Sequence, residues 1–411
     1  MPLYEAERHE RLTESEWNQD RALDAIERIV SDTHRIFDPH ALWPIHPIDR
    51  SPERPPDSIK YLYHGAAGDI WALDYLSTAG ATSLKRDYLG TVRELIPRIR
   101  RDLAKYPEVR KYMGAESASY LIGETGIFLL QWKLAPSEDV AQQIYDHVEA
   151  RIGNTRGVAW GGAGAMLAAL FMYERTGDAR WKELFLRSFG PLYDRWNYSD
   201  EARCHLWTSS LYGVTEMRIG AIHGFAANAF VMIRGRHLLE RDLADEVLRR
   251  IHQTVHATVL IEGPHANWPN NVGPTTRPAS LSMVVQHCNG APGIINSLAE
   301  FPRDARWPID ALLQQAGELV WAAGPTIKLP GLCHGAAGSG YAFLKLYART
   351  GDDKWLDRAR KFAMHAIVQC DSALEKYGQR KFSLWTGDLG LAIYLWNCVQ
   401  ATAKFPTLDV F

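Results

Sequence analysis

Two short stretches of this chain set metal-binding side chains directly beside glycine. QHCNGAPG carries Cys288 just ahead of Gly290, and GLCHGAAG carries Cys333 and His334 just ahead of Gly335. Cysteine sulfur and histidine nitrogen are preferred donors for zinc, and three protein ligands leave one position of a tetrahedron open, as catalytic rather than structural zinc sites do. His287, next to Cys288, and Cys204 are the residues that would fill that fourth position in a structural site. Five cysteines in 411 residues form an odd set in a chain far too large to need disulfide staples, so reduced thiols are expected. Cys370 and Cys398 lie in apolar helical patterns, HAIVQC and IYLWNCV, and read as core packing.

The three donors are distant in sequence and meet only if the fold brings their loops together. A repeat supplies the reason. A glycine cassette followed by an apolar run recurs seven times: HGAAG at Gly65, GETG at Gly123, GGAG at Gly161, HGFAA at Gly224, NGAPG at Gly290, HGAAG at Gly335 and TGDLG at Gly387. The third and sixth copies also share a YxRTGDxxW tail in one register, which marks repetition of a supersecondary unit. Segments after the cassettes, such as IFLLQWKL, are apolar nearly all round and predict buried inner helices. Tyr88 to Tyr106, Ser137 to Ile152, His237 to Val255 and Trp355 to Cys370 space their apolar residues helically among charges and predict half-exposed outer helices. Few runs alternate with period two. The expectation is all-α: an α/α toroid of seven inner and seven outer helices over residues 61–411, with every cassette at one end. Residues 1–60 are expected to form an N-terminal helix, about Ser15 to Phe37, and a proline-rich connection packed on the toroid.

With 46% hydrophobic and 23% charged residues the chain can bury a large core, and a formal net charge of -2 offers no basic field for nucleic acid or a membrane surface. Without an apolar leader or a membrane-length apolar run, it is expected in the cytoplasm.

The seven cassettes, the cysteine before NGAPG and the CHGAAG motif together resemble the lanthionine synthetase C-like family, from about Tyr61 to the ending FSLWTGDLGLAIYL. The resemblance implies zinc on Cys288, Cys333 and His334, and thioether formation by addition of a thiol to dehydroalanine or dehydrobutyrine residues of a peptide or protein. IGAIHGFAAN matches the family motif with the catalytic histidine, which makes His223 the candidate general acid and His64 of YHGAAG its rival. Peptide cyclases of the family carry an acid just upstream of the third cassette and an arginine before the first zinc cysteine. This chain has Arg156 and Gly157 at the first place and Val284 within SMVVQHC at the second, leaving Glu124 of GETG as the candidate replacement acid. Lys328 matches a lysine of the glutathione site in eukaryotic-type members, so glutathione is the expected thiol. His64 and Arg380, the latter ahead of the last cassette, join Lys328 as substrate-binding candidates. The irregular stretch His265 to Leu281 is a candidate lid. A lanthionine-forming cyclase and a non-catalytic zinc or glutathione binder are the alternatives. A carbohydrate-active toroid ranks last, because Glu124, Asp69 and Asp388 make no obvious carboxylate pair.

Overall fold

The computed structural model describes residues 2–50, 59–105, 116–211, 213–273 and 283–411. After α1 (Gln19–Ile36) the helices come in pairs. The first two pairs are α2 (Ala66–Thr78) with α3 (Leu89–Lys105), and α4 (Thr125–Leu134) with α5 (Glu138–Glu149). A single turn, α6 (Gly157–Trp160), precedes α7 (Gly162–Thr176) and α8 (Ala179–Asp194). Next come α9 (Phe225–Gly235) with α10 (Arg241–Thr258), α11 (Ala291–Leu298) with α12 (Asp310–Ala323), and α13 (Ala336–Thr350) with α14 (Asp353–Tyr377). The last helix is α15 (Asp388–Gln400).

Sequence pattern decides the layer. In α13 every residue from Ala336 to Leu346 is buried, and in α10 only the stripe Val247, Leu248, Ile251, Thr254, Val255 and Thr258 is. All-round apolar segments therefore become the inner layer and striped ones the outer. Each inner helix touches the next in the order α2, α4, α7, α9, α11, α13, α15, and α15 returns to α2, so the expected α/α toroid is closed.

The seventh outer position is filled by α1, which packs on α15 and α14. Its Asn18 caps the Arg21 N–H at 2.9 Å, and its inner stripe is Ala22, Ala25, Ile26, Ile29, Val30 and Thr33. Complete burial of Ile26, Ile29 and Val30 contributes about 1.5–3 kcal/mol each.

The cassettes do gather at one end, and backbone hydrogen bonds link them. The residue two before the first glycine donates its N–H to the equivalent carbonyl of the next repeat: Tyr63 to Leu121 (2.8 Å), Leu121 to Ala159 (3.4 Å), Ala159 to Ile222 (3.4 Å), Cys288 to Cys333 (3.1 Å), Cys333 to Trp385 (2.9 Å) and Trp385 to Tyr63 (3.1 Å). Between the fourth and fifth repeats the donor is Ala221, one residue earlier, to the Cys288 carbonyl at 3.0 Å. The circle is unbroken. It requires close approach: a Cβ on Gly338 would lie 1.8 Å from the Leu332 carbonyl oxygen and 3.1 Å from His287 Cβ, the side chain the fifth repeat lays over this glycine.

The seven short strands among the described residues were not foreseen. β1 (Asn197–Ser199) pairs with β2 (Cys204–Leu206), and β3 (Ser209–Leu211) with β4 (Val214–Arg218). β5 (Leu260–Glu262) pairs with β6 (His265–Asn267), and β7 (Asn271–Val272) joins β4 through Arg218 and Asn271. Strands of two to five residues are too short to show a period-two pattern. Part of the expected lid is thus β6 and β7; its residues 274–281 lie outside the described residues.

Residues 401–411 turn back from α15 into the centre of the ring, touching side chains from several inner helices. Phe411 packs its ring near Trp71 of α2, Phe171 of α7 and Tyr120, while Phe405 lies 4.6 Å from Tyr341 of α13. Four polar contacts hold it as well. Tyr120 donates to the Thr407 carbonyl at 2.6 Å, Trp385 Nε1 to Thr407 Oγ1 at 3.1 Å, Arg234 to the Leu408 carbonyl, and Lys345 pairs with Asp409 at 2.6 Å.

Candidate metal centre

Position within the cassette decides where each side chain points. Residues two before the first glycine belong to the hydrogen-bonded circle, which buries Cys288 and Cys333. Of the residues one before it, His64, His223, Asn289 and His334 are half-buried, whereas Ile122 and Trp160 are buried. Neighbouring repeats five and six therefore present two thiols and one imidazole together. The donor atoms of Cys288, Cys333 and His334 all lie within 4.8 Å of one another, and among the described residues they are the one such His/Cys/Asp/Glu group. Cys333 Sγ to His334 Nε2 is 3.6 Å. A tetrahedral zinc with its usual bond lengths sets sulfur and nitrogen donors about 3.6 Å apart, so the set fits that ion.

Neither fallback ligand joins it. His287 lies on the other face of the loop, its Nδ1 3.0 Å from Asn296 Nδ2 and its ring stacked 4.5 Å from Phe405. Burial pushes its pKa down to about 3, so it is neutral. Cys204 sits buried in β2, where desolvation raises its thiol and Thr254 is its hydrogen-bond partner. Within the pair, the Cys288 thiol is shifted down and the Cys333 thiol up. A hydrogen bond from Cys333, then His334 and the charge of His223, pull Cys288 well below the ordinary thiol value. Cys333 is driven up by burial and by sharing that proton.

His223 stands on the repeat next to Cys288, close enough to bear on its charge, and Lys328 likewise acts on Cys333. An arm at the N-terminal side holds the Lys328 loop: His9 bridges Thr326 in antiparallel fashion, and the Ile327 N–H donates to the Arg8 carbonyl at 3.1 Å. Thr326 Oγ1 then donates to the His334 carbonyl at 2.9 Å, which fixes the third ligand's backbone. His64 stacks beside Tyr61 and meets Tyr63 edge-on, on the first repeat rather than beside Cys288.

Two candidates lie elsewhere. Glu124 follows its first glycine, a position turned toward the outer layer, and bonds Arg100 of α3 at 2.8 Å and His147 of α5 at 3.3 Å. Burial raises its carboxyl, but the bonds from His147 and Arg100 outweigh that and hold it below the usual carboxylate range. Arg380 is drawn to Asp32 of α1 at 2.6 Å, to Cys370 and to Asp388, tying the seventh repeat to its outer helix rather than lining the centre. At the place of a cyclase's acid, Arg156 forms a bidentate pair with Glu116 at 2.7 and 3.1 Å, and Arg151 joins at 3.0 Å.

Sequence reasoning missed three neighbours. Tyr63 hydrogen-bonds Cys333, and its position two before the first glycine, the one Cys288 and Cys333 occupy, was the available signal. Gln286 and Asn289 flank Cys288 and direct amide N–H groups at its sulfur, at 3.0 and 3.6 Å.

Closed toroid, cassette rim and Cys-Cys-His cluster together define a class, and the comparisons give its name. Residues 59–410 match the family described as Lanthionine synthetase C-like protein, and the chain belongs to that family. It is 31% identical over 206 residues to "Glutathione S-transferase LANCL1" of Danio rerio, spanning 47% of this chain and 46% of that protein. It is 28% identical over 278 residues to "LanC-like protein GCL1" of Arabidopsis thaliana, spanning 64% and 59%. The matched stretches thus cover about half to three fifths of these relatives. Among solved structures it is similar to "Nisin cyclase", with a TM-score of 0.61 at 16% identity over 95% of this chain and 98% of that one, which bears on the fold. No helix among the described residues is long and apolar enough to cross a membrane.

Proposed function

We propose that this protein is a zinc-dependent enzyme that adds a small anionic thiol, glutathione, to dehydroalanine or dehydrobutyrine residues of peptides or proteins. The observation that carries the reading is the three-donor cluster on the rim with His223 on the adjoining repeat. Cys288, Cys333 and His334 would hold zinc, which deprotonates a coordinating thiol outright where a free thiol is only a few per cent thiolate at neutral pH. Lys328, exposed at the mouth, draws in the carboxylates of the thiol substrate. The substrate sulfur adds to the β-carbon, the double-bond electrons move toward the carbonyl, and His223 delivers a proton to the α-carbon. The thiol's proton leaves to solvent, so nothing is oxidised or reduced. Similarity to a glutathione S-transferase supports this choice of thiol. The Arg156–Glu116 pair at the place of a cyclase's acid counts against the lanthionine-forming alternative.

Incubation with glutathione and a dehydroalanine peptide, read by intact mass, tests the proposal. An adduct that forms faster than background, needs one zinc per chain and disappears in Cys333→Ala is expected. A zinc-loaded protein that binds glutathione but leaves the peptide mass at background would make it a binding protein instead.

A further inference from the structure

The two cysteines of the metal centre are not equivalent. Cys333 meets its fellow ligands and Tyr63. Cys288, in contrast, receives two side-chain amides, Gln286 Nε2 at 3.0 Å and Asn289 Nδ2 at 3.6 Å. This arrangement is built by the backbone. Residues 286–289 form a closed turn, with Asn289 N–H to the Gln286 carbonyl at 3.2 Å and Gln286 N–H to the Asn289 carbonyl at 3.1 Å, so both side chains leave on the sides of Cys288. Gly290, at φ +94°, then carries the chain into α11. The Asn289 amide is oriented from the adjoining repeat, because Gly220 has no side chain and a Cβ there would lie 2.1 Å from Asn289 Oδ1. With its oxygen seated against Gly220, the amide turns its nitrogen to the sulfur.

Amide N–H groups can only donate to sulfur, and a donated hydrogen bond stabilises sulfur lone pairs that would otherwise be shared with a metal. We propose that Gln286 and Asn289 are positioning residues that lock the Cys288 sulfur in place and weaken its electron donation, so that the metal keeps more acceptor strength for the substrate thiol. The inference rests on the zinc reading above and concerns the Cys288 sulfur, to which the two amides donate, whereas the donor at Cys333 is Tyr63. Gln286 acts at the shorter distance and carries most of the effect.

Cobalt substitution tests this without catalysis. In the wild-type protein, cobalt gives thiolate-to-metal charge-transfer bands in the near ultraviolet and ligand-field bands that report tetrahedral geometry. Gln286→Met keeps the side-chain length and removes the donor. Its charge-transfer band is expected to move to lower energy with the ligand-field bands unchanged, and zinc affinity, measured by chelator competition, to fall roughly tenfold. Asn289→Leu is expected to shift the band in the same direction by less, and it carries the test if Gln286→Met does not fold. Charge-transfer bands and zinc affinity identical to wild type in the folded variants would overturn the proposal. A wild-type protein that takes up no thiolate-bound cobalt would overturn the metal reading itself.

Discussion

His223 and Lys328 have separable duties in the proposed reaction, and kinetics can tell them apart. Replacing His223 by Gln removes a proton donor needed only in the transition state, so kcat is expected to fall about 10²–10⁴-fold with zinc content and thiol affinity unchanged. Lys328→Met is expected instead to raise KM for glutathione, to leave a neutral thiol unaffected and to lessen the salt dependence of the rate. Glu124→Gln provides the contrast. Because the carboxylate is bonded outward to Arg100 and His147, the variant should lose about 1–3 kcal/mol of stability in urea titrations and keep its turnover. The cluster of Cys288, Cys333 and His334 was legible in sequence because cysteine and histidine beside glycine are rare and chemically specific. The outward bonds of Glu124 were not legible, because residue type says nothing of direction. One step along the cassette separates the rim from the outer layer.

At the scale of elements, the glycines set how closely neighbouring repeats approach. Gly338→Ala places a methyl against the Leu332 carbonyl and the His287 side chain, one residue from a metal ligand. Strain of about 1–3 kcal/mol is expected, together with weakened zinc binding, measurable by thermal melts with and without chelator. Histidines of the N-terminal segment add to the acid sensitivity that the buried His287 brings to the ring. Burial lowers His9, His34 and His46 below their ordinary value in the folded chain, so the unfolded chain takes up protons first as pH falls. Their contribution is fully present above about pH 6.5 and is lost below it. Hydrogen exchange at pH 5 should open the arm and α1 before the inner ring. Inner and outer helices were legible because each spans enough turns to display its period. The short strands were not, nor was the use of α1 as the seventh outer helix, since its stripe shows that a face is buried but not which neighbour buries it.

Across the whole molecule, the lumen is occupied by the chain's own residues 401–411, which leaves the cassette rim as the side from which the metal centre is approached. Lys345 is 5% exposed and depends on Asp409, with Glu300 no nearer than 3.9 Å. Asp409→Ala strands a buried cation and should cost about 3–5 kcal/mol, most of it regained when Lys345→Met is added, as a double-mutant cycle in guanidinium would show. The large apolar residues of FPTLDVF mark this segment for burial, but only the closed ring creates the cavity it fills.

The pairing of α1 with α15 also bears on how the protein is made. During synthesis α1 emerges before the ring helices but finds its partner only after about 350 further residues, a delay of tens of seconds at about 5–20 residues per second. Until then the stripe of Ile26, Ile29 and Val30 is uncovered, and the emerging repeats form an arc with two sticky edges. Ring closure is therefore a late, long-range event in biogenesis, and the unclosed arc is the species for which a chaperone would compete with aggregation.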